Sequence, residues 1–409
     1  MSKLERLIQQ YCPDGVEYVR LGDIMSIQRG ASPRPIQNYL TDDEYGIPWI
    51  KIGDVYIESK YITSTKERVT KEGAAKSRLL KRGSFILSNS MSFGRPYILE
   101  IDGCIHDGWI SMCDFEKHLL PDFLYYLLRS SVVQDFWISK ANSGGAVTNL
   151  NSDIVRSTLI PVPPLPVQEE IVRVLDTFTE LQAELQAELQ KRQQQYNFYR
   201  DNLLTNFTEE QNVKEYSLGE LGTFTRGNGL QKKDFTKEGV GCIHYGQIYT
   251  RFGAFADKTL TYVNKELASR LLQVEKGNLV IACTSENVED ICKSVAWLGE
   301  ENICTGGHAC VFKHNQNPKY ISYFFQTEYF FKQKKKYTYG TKVKDIKPDS
   351  IAKIKISLPS LKEQERIVAI LDRFDTLTND LTSGLPAEME KRRQQYKYYL
   401  DRLLTFKRL

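Results

Sequence analysis

The chain has 409 residues, 41% hydrophobic and 26% charged, with 55 basic and 51 acidic side chains for a net charge of +4. At about 150 residues per domain this suits two or three domains, and 26 Gly, 14 Pro and 8 Cys exclude collagen-like, low-complexity and disulfide-scaffold classes. No run approaches the roughly 18–20 apolar residues of a membrane helix, and no apolar signal segment follows the charged start, so the expectation is a soluble cytoplasmic protein with reduced thiols.

In chain order, residues 1–162 hold an N-terminal segment and a first globular block. Short β-like runs at 47–52 and 84–88 precede an amphipathic helix over 121–141 and a Gly-containing loop at 143–149. The Pro163-Pro164-Leu165-Pro166 step predicts a helix beginning just after it, and 167–207 then holds neither Pro nor Gly. Residues 163–207 therefore read as a central helical arm, roughly 60 Å long at 1.5 Å per residue. Ile171, Phe178 and Leu185, with Val174 and Leu181, form a heptad seam. Beyond it the register shifts to Leu189, Tyr196 and Leu203, a four-residue stutter that coincides with two copies of Glu-Leu-Gln-Ala at 180–187.

A second block, 208–358, repeats the plan: a strand at 278–282, a helix over 318–337 and a loop at 339–345. The second arm, 359–409, has Ile367, Ile370, Phe374, Leu377 and Leu381 as its seam, and Gly384 and Pro386 should break or kink it. Strands that precede a helix in mixed order indicate an α+β class.

The arms match closely. Residues 191–205 and 391–405 share ten of fifteen positions, and 163–176 and 359–372 share eight of fourteen. The blocks match weakly, at Arg29-Gly30 against Arg226-Gly227 and at Ile50-Lys51 against Ile243-His244. One helical job is done twice, while two related scaffolds have diverged at their surfaces. Each arm has an apolar stripe without another partner, so the two are expected to pack on one another.

Catalytic signatures are missing. There is no phosphate loop, no dinucleotide fingerprint, no His-Glu-x-x-His and no Asn/Asp-Pro-Pro-aromatic motif. Cys304, His308 and Cys310, with Cys283 and Cys292 upstream, lack zinc-type pairs and read as buried thiols, although sequence leaves metal binding open. A binding protein is favoured over an enzyme.

Nucleic-acid signals are distributed. Lys334, Lys335, Lys336 and Tyr339 mix basic and aromatic character beside Gly340, and Lys342 and Lys344 follow. The first-block counterpart carries Asn142, Thr148 and Asn149. Arg29, Arg34, Arg95, Arg226, Lys232 and Lys233 sit in Gly- or Pro-punctuated loops, and Lys51, His244 and Gln247 in the weak block match. Cations supply phosphate affinity, and Arg, Lys, Asn and Gln read base edges.

The order block, helix, block, helix resembles the specificity subunits of type I restriction–modification systems. The local likeness lies in Leu21-Gly22-Asp23-Ile24, in Ile47-Pro48-Trp49-Ile50-Lys51-Ile52-Gly53-Asp54-Val55, and in the Pro-rich step into Gln168-Glu169-Glu170-Ile171. The opening Leu4-Glu5-Arg6-Leu7-Ile8 and Cys12-Pro13-Asp14-Gly15 and the Glu-Leu-Gln-Ala repeat are also similar to that family. The resemblance implies two α+β target recognition domains joined by two long antiparallel coiled-coil helices in a pseudo-twofold repeat. Each domain would read half of a split site in double-stranded DNA. The helices would dock two methyltransferase subunits and, where they accompany them, restriction subunits. This chain would carry no catalytic group and no cofactor; S-adenosylmethionine, ATP and Mg would sit on the partners. Leu185, Leu189, Tyr196, Tyr199, Leu203, Tyr396, Tyr399 and Leu403 are the candidates for arm packing or subunit docking. The competing readings are the specificity subunit of a methyltransferase-only complex, a coiled-coil protein scaffold, and an enzyme with its own nuclease or methyl-transfer site.

Overall fold

The computed structural model describes residues 2–56, 59–89, 93–141, 149–208, 213–379 and 383–409. The chain divides into two compact units, Met1–Glu184 with Glu390–Leu409, and Leu185–Met389. Each unit therefore combines one block with half of each arm.

In the first unit Tyr18–Arg20 pairs antiparallel with Leu159–Pro161, so the two ends of the block lie side by side. One five-stranded sheet runs in the order Ser26–Arg29, Trp109–Cys113, Phe85–Ser88, Pro96–Leu99, Tyr61–Ile62. The other runs Leu40–Thr41, Glu67–Val69, Ile47–Ile50, Gly103–Ile105, Arg78–Leu80, with Ile47–Ile50 and Gly103–Ile105 parallel. The period-2 alternation of a strand sends neighbouring side chains to opposite faces. Phe85, Leu87, Ile98, Ile110 and Met112 join the core with Phe123, Leu127 and Trp137 of the helices. Ile86, Tyr97, Leu99 and Trp109 cluster instead with Ile50, Leu80 and Ile105 of the other sheet. A strand buried on both faces reads as a continuous apolar run, as Phe85–Ser88 does.

The second unit repeats this order. Lys214–Ser217 pairs with Lys355–Leu358, and the central sheet runs Gly222–Arg226, Ala309–His314, Leu279–Ala282, Ser294–Trp297, Phe255–Ala256. Leu279, Ile281, Cys310 and Phe312 face the helices, and Val280, Ala282, Ala309 and Val311 face the second layer.

Each block helix expected as one piece is two. Pro121–Arg129 and Ser131–Ala141 part at Ser130, and Pro318–Phe324 and Glu328–Tyr337 part before Thr327. Thr327 caps the new helix by accepting the Phe330 N–H at 3.2 Å. A carboxylate from an arm completes each break: Asp401 accepts the Ser131 N–H at 2.7 Å and Asp201 the Glu328 N–H at 3.2 Å. Both satisfy amide groups that a helix start leaves without intrahelical partners.

The first arm is one helix, Leu165–Thr205. It starts two residues earlier than expected, because Pro166 in the first turn removes an N–H that has no intrahelical acceptor there. The second arm is interrupted as Gly384 and Pro386 suggest, into Leu361–Asn379 and Leu385–Leu403. Leu381, placed in its seam, lies outside the described residues.

The heptad reading needs correction. Val167, Ile171 and Leu175, spaced by four, are fully buried in the first unit's core with Leu400 and Leu404 nearby, whereas Leu181 is 44% exposed. The helix serves two neighbours at once, so its buried stripe follows the block and only part of it faces the other arm. Arm meets arm through Phe178 stacked on Tyr399, centroids 5.2 Å apart, and through the Gln182 amide donating to the Arg392 carbonyl at 3.3 Å. Sequence rises on one helix as it falls on the other, so the pair is antiparallel. In the second unit Tyr199 stacks on Phe374 at 5.5 Å, the repeat-equivalent contact.

The Gln that both arms share, Gln168 and Gln364, has a structural task. Buried Gln168 accepts from the Leu120 N–H at 2.9 Å and donates to the carbonyls of His118 and Pro163 at 2.9 and 2.7 Å. Gln364 accepts from the Asn317 N–H at 3.1 Å and donates to Pro359 O at 2.9 Å. Tyr126 donates to Asp176 at 2.5 Å and Tyr323 to Asp372 at 2.7 Å, again as equivalents. Among the described residues no helix is long and apolar enough to cross a membrane.

Candidate nucleic-acid interface

The Arg-Gly pair of each block ends the first strand of its central sheet. The Gly30 N–H donates to Trp109 O at 2.8 Å and the Gly227 N–H to Ala309 O at 2.9 Å. A Cβ on Gly30 would stand 2.1 Å from His106 O, and one on Gly227 2.4 Å from Gly306 O, so the backbones approach too closely for a side chain. The arginines are aimed alike: Arg29 Nε donates to Asp107 O at 2.9 Å and Arg226 Nε to Gly307 O at 3.1 Å.

In the first unit Arg29, Lys51 and Asn149 line one groove of about 800 Å³. Sequence reasoning missed other lining groups, among them Asn89, His106 and Asp107. Asn89 donates to Asp107 O at 3.0 Å, and its backbone carbonyl accepts the Leu150 N–H at 2.8 Å, which ties the chain at Leu150 to the sheet. Burial lowers the His106 imidazole, and Lys51 adds to that against Asp107 and Asp54, so the ring is neutral at pH 7. Lys51 pairs with Glu67. Arg34 is exposed at the rim, 3.4 Å from Asp107. Arg95 lies apart, in a separate cavity of about 200 Å³ with Tyr97, Tyr125 and Arg129. Asn142 and Thr148 lie outside the described residues.

In the second unit Lys232, His244 and Gln247 line a groove of about 530 Å³ with Phe235 and the unforeseen Arg251. Lys232 and Lys233 are exposed on a short turn, Lys232–Asp234. His244 is lowered by burial, then by the charges of Lys232 and His308. Its Nδ1 accepts the Gly246 N–H at 3.2 Å, which leaves Nε2 as the donor of the neutral ring. Gln247 has a structural duty: its Oε1 accepts the His244 N–H at 3.0 Å.

The 339–345 loop is a closed turn. Tyr339 and Asp345 exchange backbone bonds of 3.1 and 2.9 Å, Gly340 takes φ +98°, and Lys344 Nζ donates to Gly340 O at 2.7 Å. Tyr339 and Lys342 are exposed on it. Arg226 holds its base, donating to both Asp345 oxygens at 3.0 and 2.7 Å. Burial alone would raise the Asp345 carboxyl, yet hydrogen bonds and charge from Arg226 outweigh it and hold the group below its usual value. Lys335 and Lys336 are exposed, but Lys334 is not a surface cation: it is 3% exposed and donates to Glu289 O at 3.0 Å and to Ile291 O. A helix presents three consecutive residues to three directions, and the middle of the block's core claims this one.

Of the arm residues, Tyr196 and Leu189 are buried, Tyr196 in the second unit's core with Leu203 packed against it. Leu185 is half-buried. Tyr396 and Leu403 pack on the first unit's core, where burial pushes the Tyr396 phenol up to about 12. Tyr399 stacks on Phe178, and Tyr199, 45% exposed, is the one that faces solvent most.

Cys283, Cys292, Cys304 and Cys310 are buried, and His308 Nδ1 lies 3.0 Å from Thr284 Oγ1. Among the described residues no three His, Cys, Asp or Glu groups gather as metal ligands.

Each of the two related scaffolds presents a groove with cations and amides in its lining, Arg29, Lys51, Asn89 and Asn149 in the first and Lys232, Gln247 and Arg251 in the second. Residues 13–192 and again 210–391 match the family described as the type I restriction modification DNA specificity domain, and the chain belongs to that family. It is 29% identical over 431 residues to the specificity subunit of the EcoR124I/EcoR124II type I restriction enzyme of Escherichia coli, covering 99% of this chain and 97% of that one. It is 25% identical over 400 residues to the EcoprrI specificity subunit, also of Escherichia coli, covering 93% and 92%. In fold it is similar to a chain from a solved type I restriction–modification assembly, with TM-score 0.68, 16% identity and 96% and 98% coverage. The crystal structure of the HsdS subunit of Thermoanaerobacter tengcongensis follows at TM-score 0.51 and 17% identity, covering 96% and 97%.

Proposed function

We propose that this chain is the DNA-reading subunit of a type I restriction–modification complex and recognises a split site in double-stranded DNA, one half per block. The observation that carries the reading is the duplication of the specificity domain within one chain, each copy with its own groove. The grooves differ in their side chains, so the half-sites differ. Lys51 and Asn149 in one, and Lys232, His244 and Arg251 in the other, offer the donors that purine edges and phosphates accept. The chain itself transfers nothing and holds no cofactor. Two methyltransferase subunits, with S-adenosylmethionine, dock on the repeated arms, and restriction subunits with ATP and Mg join where the system has them. Two similar arms present two equivalent surfaces, which suits two copies of one partner. The compartment of this work is the cytoplasm.

Single-molecule sequencing of modified adenine in DNA from cells expressing the chain with its methyltransferase tests this. The expected result is a bipartite methylated motif that vanishes without the chain. Replacing residues 213–357 by the corresponding block of a relative should change one half of the motif and leave the other. An active, stably assembled methyltransferase complex without any motif would overturn the reading.

A further inference from the structure

The two blocks hold the same arginine in the same place and give it different neighbours. Arg29 stands opposite Ile110 in the first central sheet and Arg226 opposite Cys310 in the second, each just before its glycine. Nε of each is spent alike on a backbone carbonyl, Asp107 O and Gly307 O. The chain returning to each sheet is tied at an equivalent point. The Leu150 N–H donates to Asn89 O at 2.8 Å, and the Ile346 N–H donates to Cys283 O at 3.0 Å. The residue just before that point is Asn149 in the first unit and Asp345 in the second.

This one exchange decides what the guanidinium does. In the second unit Nη1 and Nη2 of Arg226 donate to the two Asp345 oxygens at 3.0 and 2.7 Å, so the fork is closed on a group of its own chain. In the first unit the neutral Asn149 stands at that point and lines the groove with Arg29. Arg29 is exposed, and among the described residues its Nη1 and Nη2 have no hydrogen-bond partner, while Nε is anchored at 2.9 Å. An anchored Nε fixes the plane of the guanidinium and leaves a preoriented edge of two donors, which matches a pair of acceptors.

DNA offers two such pairs, O6 and N7 of guanine and the oxygens of a phosphate. The lining favours the uncharged one. Lys51 is already paired with Glu67, and the Asp107 carboxylate shares the groove, accepting from Ser32 at 2.9 Å and standing 3.4 Å from Arg34. A phosphate on Arg29 would come beside that carboxylate, whereas a guanine edge meets no like charge. We propose that Arg29 reads a guanine in the first block's half-site, with Nη1 and Nη2 donating to O6 and N7, and that Arg226 reads no base because Asp345 occupies the same edge. The inference rests on the DNA-reading function proposed above and assigns one base-reading side chain within it.

The test uses the full chain assembled with its methyltransferase. Sequencing of modified adenine supplies the motif, and the 213–357 replacement identifies which half belongs to the first block. Each guanine of that half is then replaced in turn by 7-deazaguanine, which keeps O6 and removes N7, and Kd is measured by fluorescence anisotropy of labelled duplexes. At one guanine the unmodified complex should bind the 7-deaza duplex at least about fivefold more weakly. With Arg29→Ala, an exposed position where Tm should hold, the two duplexes should bind alike. Asn149→Asp, which sets before Arg29 the carboxylate that Arg226 already holds, should shrink the ratio in the same direction. A bipartite motif without guanine in the first half, no 7-deaza effect at any of its guanines, or an effect that survives Arg29→Ala would overturn the proposal and leave the DNA-reading function standing. An affinity loss in Arg29→Ala that is uniform across sequences, with a salt slope shallower by about 1, would assign Arg29 to a phosphate and overturn it equally.

Discussion

Lys334 directs its ammonium to the carbonyls of Glu289 and Ile291 inside the second unit, while Lys335 and Lys336 face solvent on the same helix. Lys334→Ala strands two buried acceptors and should cost about 2–4 kcal/mol, read as a lowered Tm, with the salt dependence of DNA binding unchanged. Lys336→Ala should do the opposite: Tm stays, and the slope of log Kobs against log[salt] becomes shallower by about 1 if Lys336 meets a phosphate. Asp345 gives a pH signature. Its carboxyl is depressed in the folded state, so its contribution is complete above about pH 5 and fades as pH falls through the folded value. Asp345→Asn should lower stability by about 1–2 kcal/mol at pH 7. The Tm gap from the unmodified chain should be constant at neutral pH and narrow as acid protonates the carboxyl, and a gap that does not change with pH down to acid unfolding would refute the Arg226 pairing as its source. Residue type marks side chains of the kind that can bind polar polymers but not which of them the core claims. Lys334 and Gln247 fit the same pattern as Lys336 and Lys232, and only non-local packing separates them.

Helix content and the arm interruption were legible because Pro, Gly and apolar period act locally. The splits before Ser131 and Glu328 were not, since the carboxylates that cap those starts, Asp401 and Asp201, lie 270 and 127 residues away in sequence. The seam was half legible: a heptad pattern tells that a stripe is covered and cannot tell by what, and here Ile171 belongs to the block and Phe178 to the other arm. The grooves are assembled from strand ends and loops distant in sequence, which is why sequence did not place Asn89 and His106 beside Lys51 and Asn149, or Arg251 beside Lys232. The tetrapeptide repeat makes a separate prediction for the Leu165–Thr205 helix. Deleting Glu184 to Ala187 shortens it by about 6 Å, against roughly 3.4 Å for each base pair. The methylated motif should keep both half-sites and lose one or two base pairs of its gap. An unchanged gap in sequenced DNA would show that the helix does not set it.

At the scale of the molecule the two units are built from the same parts but from differently connected chain. The second is one continuous stretch, Leu185–Met389, and the first joins Met1–Glu184 to Glu390–Leu409. The join is substantial. Leu400 and Leu404 are 5% and 4% exposed within the first unit's core, and Asp401 supplies a helix start with its cap. The terminus then returns to the chain's beginning: the Val16 N–H donates to Lys407 O at 2.8 Å, and the Tyr18 hydroxyl to Phe406 O at 3.0 Å. Removing two fully covered leucines alone forfeits about 3–6 kcal/mol of apolar burial, comparable with the whole stability of many domains. A fragment of residues 185–389 should therefore unfold cooperatively by itself, since its core leaves nothing essential behind. A fragment of residues 1–184 should lack a sharp transition, and a peptide of residues 390–409 added in trans should restore one, with a midpoint that rises with peptide concentration as binding to the folded state requires. Calorimetry on the three samples decides it. A sharp, peptide-independent transition in residues 1–184 would mean that the C-terminal helix lies on the first core without being needed by it.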